Sequence, residues 1–310
     1  MDFIEIANTQ MDKDVLSVNS TEWNDNWEEY YVIFADLIAF AQRCMISPGI
    51  TLNNIVRFHR AINESVNGID DIIKYQFTDA CYILAKDPKT ALIVATNIQN
   101  ECLLHNYKQM KLPHVMFYQM IVPKVVISKG NVLTLKTASD ITSIKKIAGI
   151  SPKELLAGEG IVKAYYLEKK TTGGLVSVDK NYIQDFKKPS SGDSKTKTNG
   201  LYKKWRNDIE NKLFSHDGVI DIPWLVLQPR QIKKGTLQTE TVGAFKEKAK
   251  AFNHIWRTSF TEHLAERTST ETLKQYGGGI SHLCEVLQAY TNVGPRSWDL
   301  IDMVAAIESL

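Results

Sequence analysis

The stretch YYVIFADLIAF at residues 30–40 carries one charge, and where that charge falls decides the fold. An apolar run this short, rich in β-branched and aromatic residues, predicts a buried strand, with Asp36 near its end. Burying a carboxylate without a counter-charge is costly, so something at the end of this strand has to neutralise it. A second lone acid, Asp79, sits in IIKYQFTDACYIL at 72–84, which predicts a strand, a turn and a strand with the acid where the hairpin bends. Either acid alone reads equally well as a solvated turn residue. Together, on strands lying side by side, they bring two carboxylates to one point at the sheet end. Oxygen ligands that converge while leaving positions open for phosphates suit Mg²⁺ or Mn²⁺. Paired metal ions stabilise both the attacking and the leaving oxygen in phosphoryl transfer, which gives such a pair of acids a chemical purpose.

Outward from this pair, element types alternate. A helical pattern covers 51–68, and PKTALIVATNIQNECLLHN at 88–106 predicts a helix with Pro88 in its first turn. VMFYQMIVPKVVISKG at 115–130 and NVLTLK at 131–136 predict two strands, a helix follows near 151–170, and GLVSVDKNY at 174–182 predicts a further strand. Interleaved strands and helices predict an α+β fold, a sheet with helices packed on it. Residues 187–206, KKPSSGDSKTKTNGLYKKWR, are basic and polar and read as a linker rather than a phosphate-binding patch. Beyond it IDIPWLVLQPR at 220–230 predicts a strand, and 242–266, 280–291 and 296–309 predict amphipathic helices of a smaller, mostly helical C-terminal domain. The glycines at 277–279 lack the GxGxxG or GK[ST] context of a phosphate loop and read as a helix break.

The chain has 310 residues, which favours two domains. Its 37 Lys and Arg nearly balance 35 Asp and Glu, so the electrostatic footprint of a nucleic-acid binder is absent. Four scattered cysteines form no CxxC pair, which points to neither zinc nor a disulfide framework and fits a reducing cytoplasm. None of the seven histidines forms HExxH, so core or surface roles are expected of them. No apolar stretch is long enough for a membrane span, and the N-terminus lacks the basic start of a signal peptide.

Four pieces taken in order add a resemblance: VIFADLIAF (32–40), YQFTD (75–79), ALIVATNI (91–98) and GEGIVKAYYLE (158–168). In order and spacing they resemble the motifs of the class III nucleotidyl cyclases, across residues 28–183. The resemblance implies a ferredoxin-like sheet with helices on it, an N-terminal extension at 1–27, a cyclase domain at 28–186, a linker at 187–200 and a sensor-associated type of C-terminal domain at 201–310. It also implies two divalent ions, Mn²⁺ or Mg²⁺, held by Asp36, Asp79 and the backbone carbonyls of Leu37 or Ile38. Ala39 and Phe40, in the turn from Ile38 to Ala41, would cradle the terminal phosphates. Tyr75 stands where purine cyclases carry a base-contacting Lys, and offers a flat face and a hydroxyl but no ammonium. That replacement, with GEGIVKAYYLE, is most similar to the bacterial pyrimidine cyclases of the Pycsar anti-phage system. It implies CTP (slightly favoured) or UTP as substrate and a cyclic nucleotide read by a separate effector. Family sites form between two domains, which implies a homodimer with Asp36 and Asp79 from one subunit and Tyr75 from the other. Two family positions depart: Val162 stands for the Asn and Tyr166 for the Arg of the transition state. Lys163, Lys124 and Lys129 are the candidate cations for the triphosphate, each also readable as a solvated surface charge. Two rivals stay open, a catalytically degenerate nucleotide sensor and a protein whose main role is a partner-binding C-terminal half.

Overall fold

The computed structural model describes residues 27–38, 40–110, 119–134, 156–171, 173–179, 215–216, 218–222, 224–226 and 247–252, with single positions at 182, 185 and 244. Strand β1 (Trp27–Leu37) is the predicted apolar run, and its buried residues Val32, Ile33 and Ala35 lie at the centre of the sheet. Helices α1 (Phe40–Ile46) and α2 (Pro48–Ser65) follow where a single helical region was expected. The break has a local cause: Ser47 is extended and its hydroxyl accepts a hydrogen bond from the Ile50 N–H at 3.4 Å, while Pro48 opens the new helix. The hairpin β2 (Ile73–Gln76) and β3 (Ala80–Ala85) is as expected from 71–85. Helix α3 (Pro88–Met110) starts on Asp87, whose carboxylate accepts from the Lys89 and Thr90 N–H groups at 3.0 and 2.9 Å.

The two expected strands at 115–136 are one, β4 (Pro123–Thr134), because Gly130 and Asn131 continue the pairing with β1 instead of turning. Short β5 (Leu156–Ala157) leads into α4 (Glu159–Glu168), and β6 (Val176–Asp179) lies parallel to β4. The central order β2-β3-β1-β4, antiparallel throughout, joins two split βαβ units: β1 to β2 through α1 and α2, and β3 to β4 through α3. This is the ferredoxin-like α+β arrangement. Side chains alternate across β1, so Tyr31, Ile33, Ala35 and Leu37 pack under α2 and α3, while Tyr30, Val32 and Phe34 face α4.

Beyond the expected linker the sheet continues. β7 (Ser215–His216) and β8 (Val219–Asp221) extend it past β6; within the strand expected at 220–230, Trp224–Val226 form a 3₁₀ turn, and 223 and 227–230 lie outside the described residues. Trp224 is 0 % exposed in the same core as α3, donates its ring N–H to the Gly174 carbonyl at 2.8 Å and meets Phe252 edge-on at 5.7 Å. That core therefore does not end at residue 186. The linker at 187–200, the glycines at 277–279 and the helices expected at 280–291 and 296–309 lie outside the described residues, as does most of 242–266.

The crossing of α4 over β4 is set by two glycines. A Cβ on Gly130 would stand 2.7 Å from the Gly160 backbone nitrogen and 2.9 Å from its Cα. Gly130→Ala is expected to cost about 1–3 kcal/mol in urea unfolding, since backbone rather than a flexible side chain has to give.

Candidate active site

Both expected acids end on one edge of the sheet. The Leu37 N–H donates to the Asp79 carbonyl at 2.9 Å, which ties the β2–β3 turn to the end of β1, and the Thr78 hydroxyl donates to the Asp79 carboxylate at 2.9 Å. Ile38 continues the β1 end by donating its N–H to the Val122 carbonyl at 3.1 Å. In the pairing, Asp36 stands opposite Ala80 on β3 and opposite Lys124 on β4. Directly paired residues share a face, so Asp36 and Lys124 both point to the α4 side. There Glu168, the last residue of α4, closes the group: the buried Lys124 ammonium lies 2.8 Å from one carboxylate oxygen and the Lys169 ammonium 3.2 Å from the other. Gln99 on α3 fixes the start of β4 by donating to the Pro123 and Leu175 carbonyls at 3.1 and 2.7 Å.

The electrostatics follow from this packing. Burial, then the neighbouring charges of Glu168 and Asp79, push the Asp36 carboxyl up to about 7, with Lys124 and Lys169 pulling the other way. With Asp36 ionised, three carboxylates face two ammonium groups, a surplus of one negative charge. A divalent cation would offset it, and hard carboxylate oxygens with the adjacent backbone carbonyls of Leu37 and Ile38 are the donor set that Mg²⁺ or Mn²⁺ takes. These donors therefore suit a divalent cation.

An aromatic row adjoins the acids on the same face. Phe34 and Tyr82 stack at 4.3 Å, and Phe77, at the hairpin bend, meets Tyr82 edge-on at 6.1 Å. The Tyr82 hydroxyl is pushed up to about 12, mainly by burial and then by Asp36 and Glu168, which marks it as part of the same site. Tyr75 pairs with Tyr82 in the sheet and is only 9 % exposed within its own subunit, so most of its ring is covered by the chain that carries it. Phe40 opens α1, and Ala39 lies outside the described residues.

Lys163 is not brought to the acids. Its ammonium pairs with Glu159 at 2.6 Å and donates to the Lys129 carbonyl at 3.4 Å, beside a separate cavity of about 440 Å³ between α4 and β4. Lys129 is paired with Glu29 and Asp185, both at 3.0 Å. Of the three candidate lysines only Lys124 belongs to the Asp36 group. Its signal in the sequence is the one that singles out Asp36, a lone charge in the apolar run IVPKVVI at 121–127. Glu168 and Lys169, in the charged helix end LEKK, carry no such signal.

A second group of ligand types lies elsewhere. Glu64 on α2 and Glu101 and His105 on α3 place ligand atoms within 4.8 Å of one another, with His105 and Glu64 paired at 3.0 Å. His105 is thus buried against Glu64 and not at the Asp36 site.

No family model matches the chain, and no curated protein matches it. Solved structures similar to it include the guanylyl cyclase Cya2, at TM-score 0.39 and 12% identity over 57% of this chain and 88% of that one. Another is the catalytic core of a rhodopsin-guanylyl cyclase with converted specificity, in complex with ATPαS, at TM-score 0.34 and 14% identity over 52% of this chain and 82% of that one. No described helix is long and apolar enough to cross a membrane.

Proposed function

We propose that this chain is a nucleotidyl cyclase that closes a nucleoside triphosphate to its 3′,5′-cyclic monophosphate and pyrophosphate. The observation that carries the reading is the meeting of Asp36 and Asp79, from two separate sequence motifs, at one sheet edge with an excess of negative charge. Asp36, Asp79 and the carbonyls of Leu37 or Ile38 would hold the divalent ions, which when bound lower the pKa of the ribose 3′-hydroxyl and offset charge at the α-phosphate. The chain's own part is to fix the two carboxylates through the β1–hairpin hydrogen bond and to exclude water with the aromatic row. The backbone N–H groups of Phe40 and Ala41, at the start of α1, would take the terminal phosphates.

The finer assignment is a pyrimidine cyclase, because position 75 holds Tyr rather than an ammonium-bearing side chain; the resemblance of the C-terminal half to a sensor-associated domain puts CTP slightly before UTP. Its product would act as a second messenger in anti-phage defence, read by a separate effector. A cytoplasmic setting fits its unpaired Cys44, Cys81 and Cys102. Incubation with Mn²⁺ and each of four nucleoside triphosphates, with the cyclic product identified by mass spectrometry, tests both levels. Cyclic product from a purine triphosphate alone would refute the pyrimidine assignment and leave the cyclase.

The working form would be a homodimer that shares its sites. Val162, Tyr165 and Tyr166 on α4 and Phe77 at the hairpin stand exposed around the sheet face that carries the acids, Tyr166 at 64 %. Exposed aromatic residues in such a group mark interaction surfaces. Tyr166→Asp is expected to convert dimer to monomer in sedimentation and to lower activity at least about tenfold, since a charge would be buried at the interface. A monomeric wild-type protein with full activity would contradict the shared site.

One observation favours the sensor alternative: Val162 and Tyr166 offer no amide or guanidinium where the family carries its Asn and Arg. Binding of a triphosphate with no release of pyrophosphate would decide for it.

A further inference from the structure

The cyclase reading leaves the triphosphate without an assigned side-chain cation, and the charged chain on the α4 side of the sheet supplies one. Lys124 is in place beside Asp36, but its ammonium is buried and held 2.8 Å from Glu168, so it acts as a fixed counter-charge. Lys163 is held by Glu159 at the other end of α4, five residues before Glu168, or about 7.5 Å along the helix axis. Lys169 is also paired with a carboxylate, but it alone of the three combines an exposed side chain with a place at the Asp36 group. It is the first residue past α4, its side chain is 57 % exposed, and its ammonium rests 3.2 Å from the second Glu168 oxygen and 4.7 Å from the centre of the Tyr165 ring.

Glu168 itself is 2 % exposed, and a carboxylate that deep is held only with its charge satisfied. One buried and one exposed ammonium satisfy it, one on each oxygen. The exposed ammonium is thereby placed at the Asp36 group before any ligand arrives, and a side chain already ordered loses less freedom on binding.

We infer that Lys169 contacts the phosphates of the bound nucleotide, positioned for it by Glu168 and Tyr165. The inference rests on the cyclase reading, and it moves the cationic contact from Lys163, expected from the sequence, to the end of α4. Lys169 is exposed and outside both cores, and Lys124 still pairs with Glu168 when it is replaced, so the variant is expected to fold, which circular dichroism checks.

The test is binding of 3′-deoxynucleoside triphosphates, which lack the attacking hydroxyl, to the full-length protein with Mn²⁺ in equilibrium dialysis. Lys169→Ala is expected to weaken binding of the preferred nucleotide about tenfold, as loss of a charge-assisted contact does. Lys169→Arg is expected to keep affinity within about threefold, because the guanidinium also pairs with phosphate. Lys108→Ala, at the last turn of α3, should bind as the wild type does. If Lys169→Ala binds as tightly as wild type while the Asp36→Asn, Asp79→Asn double variant has lost binding, the Lys169 inference falls and the cyclase reading stands. If that double variant binds as tightly as wild type, both fall.

Discussion

Asparagine in place of Asp36 is expected to lower cyclic product formation about a thousandfold or more and to make the metal-free protein more heat-stable at pH 8. The two effects share a cause. Asn keeps the shape of the side chain but offers no anionic oxygen, so the clamp on the substrate's divalent ions is lost while packing is kept. The stability effect follows from the sign of the shift: burial and neighbouring carboxylates push the Asp36 carboxyl up to about 7 in the folded protein from an ordinary 3.8. Between those values the folded state holds the proton more tightly than the unfolded one. Its stabilisation is complete below about pH 4 and is lost as the pH rises through about 7. The ceiling on that loss is about 4 kcal/mol at 1.36 kcal/mol per pKa unit, and relaxation of the site lowers it. Asp36→Asn removes the ionised form and with it the penalty at pH 8, while little changes at pH 4. Added Mn²⁺ should reverse the order, raising the melting temperature of the wild type and not of the variant. Calorimetry at both pH values, with and without Mn²⁺, checks this; a variant less stable than wild type at pH 8 without metal would contradict the electrostatic account.

The second large effect concerns the end of the first core. Cutting the chain after residue 186 would leave β6 with an open edge and remove Trp224 and Phe252 from the core that also contains α3. Loss of a fully buried Trp costs about 3–5 kcal/mol by itself, a large part of the stability of an ordinary domain. The truncated protein is therefore expected to be unfolded or aggregated, and the point variant Trp224→Phe, which keeps most of the ring volume, to remain folded with a smaller loss. Circular dichroism and size-exclusion chromatography measure both. A folded, monodisperse 1–186 fragment would show that the segment beyond the linker is dispensable to this core.

The placement of Asp36 and Asp79 at one end of the sheet was legible because each is a lone carboxylate among apolar residues, Asp36 in a strand and Asp79 at a hairpin bend, and that anomaly needs no tertiary information. The order of strands and helices was legible from periodicity, and with it the α+β class. The junction at Ser47 and Pro48 had its cap and proline in plain view, but the helical pattern read at 51–68 begins after it and the short helix before it was not expected. β4 was divided at Gly130 because glycine before asparagine usually turns the chain. Here the glycine serves a different need, the close passage of the α4 backbone, which depends on residues thirty positions away. The joining of β8 to β6 is likewise non-local, and a polar segment between them reads as a boundary whatever the sheet does. Glu168 and Lys169 stand in a charged helix end indistinguishable from a solvated one, so only the packing of α4 on β4 reveals that they complete the acids' surroundings.

The central claim, that Asp36 and Asp79 carry out metal-dependent cyclisation of a nucleotide, is tested most directly by product analysis. Purified full-length protein with Mn²⁺ and each of the four nucleoside triphosphates should convert one pyrimidine triphosphate, CTP in the favoured case, to its 3′,5′-cyclic monophosphate with one pyrophosphate per product. Asp36→Asn and Asp79→Asn should each abolish that conversion. Absence of a cyclic product from all four triphosphates, or product formation undiminished in either variant, would contradict it.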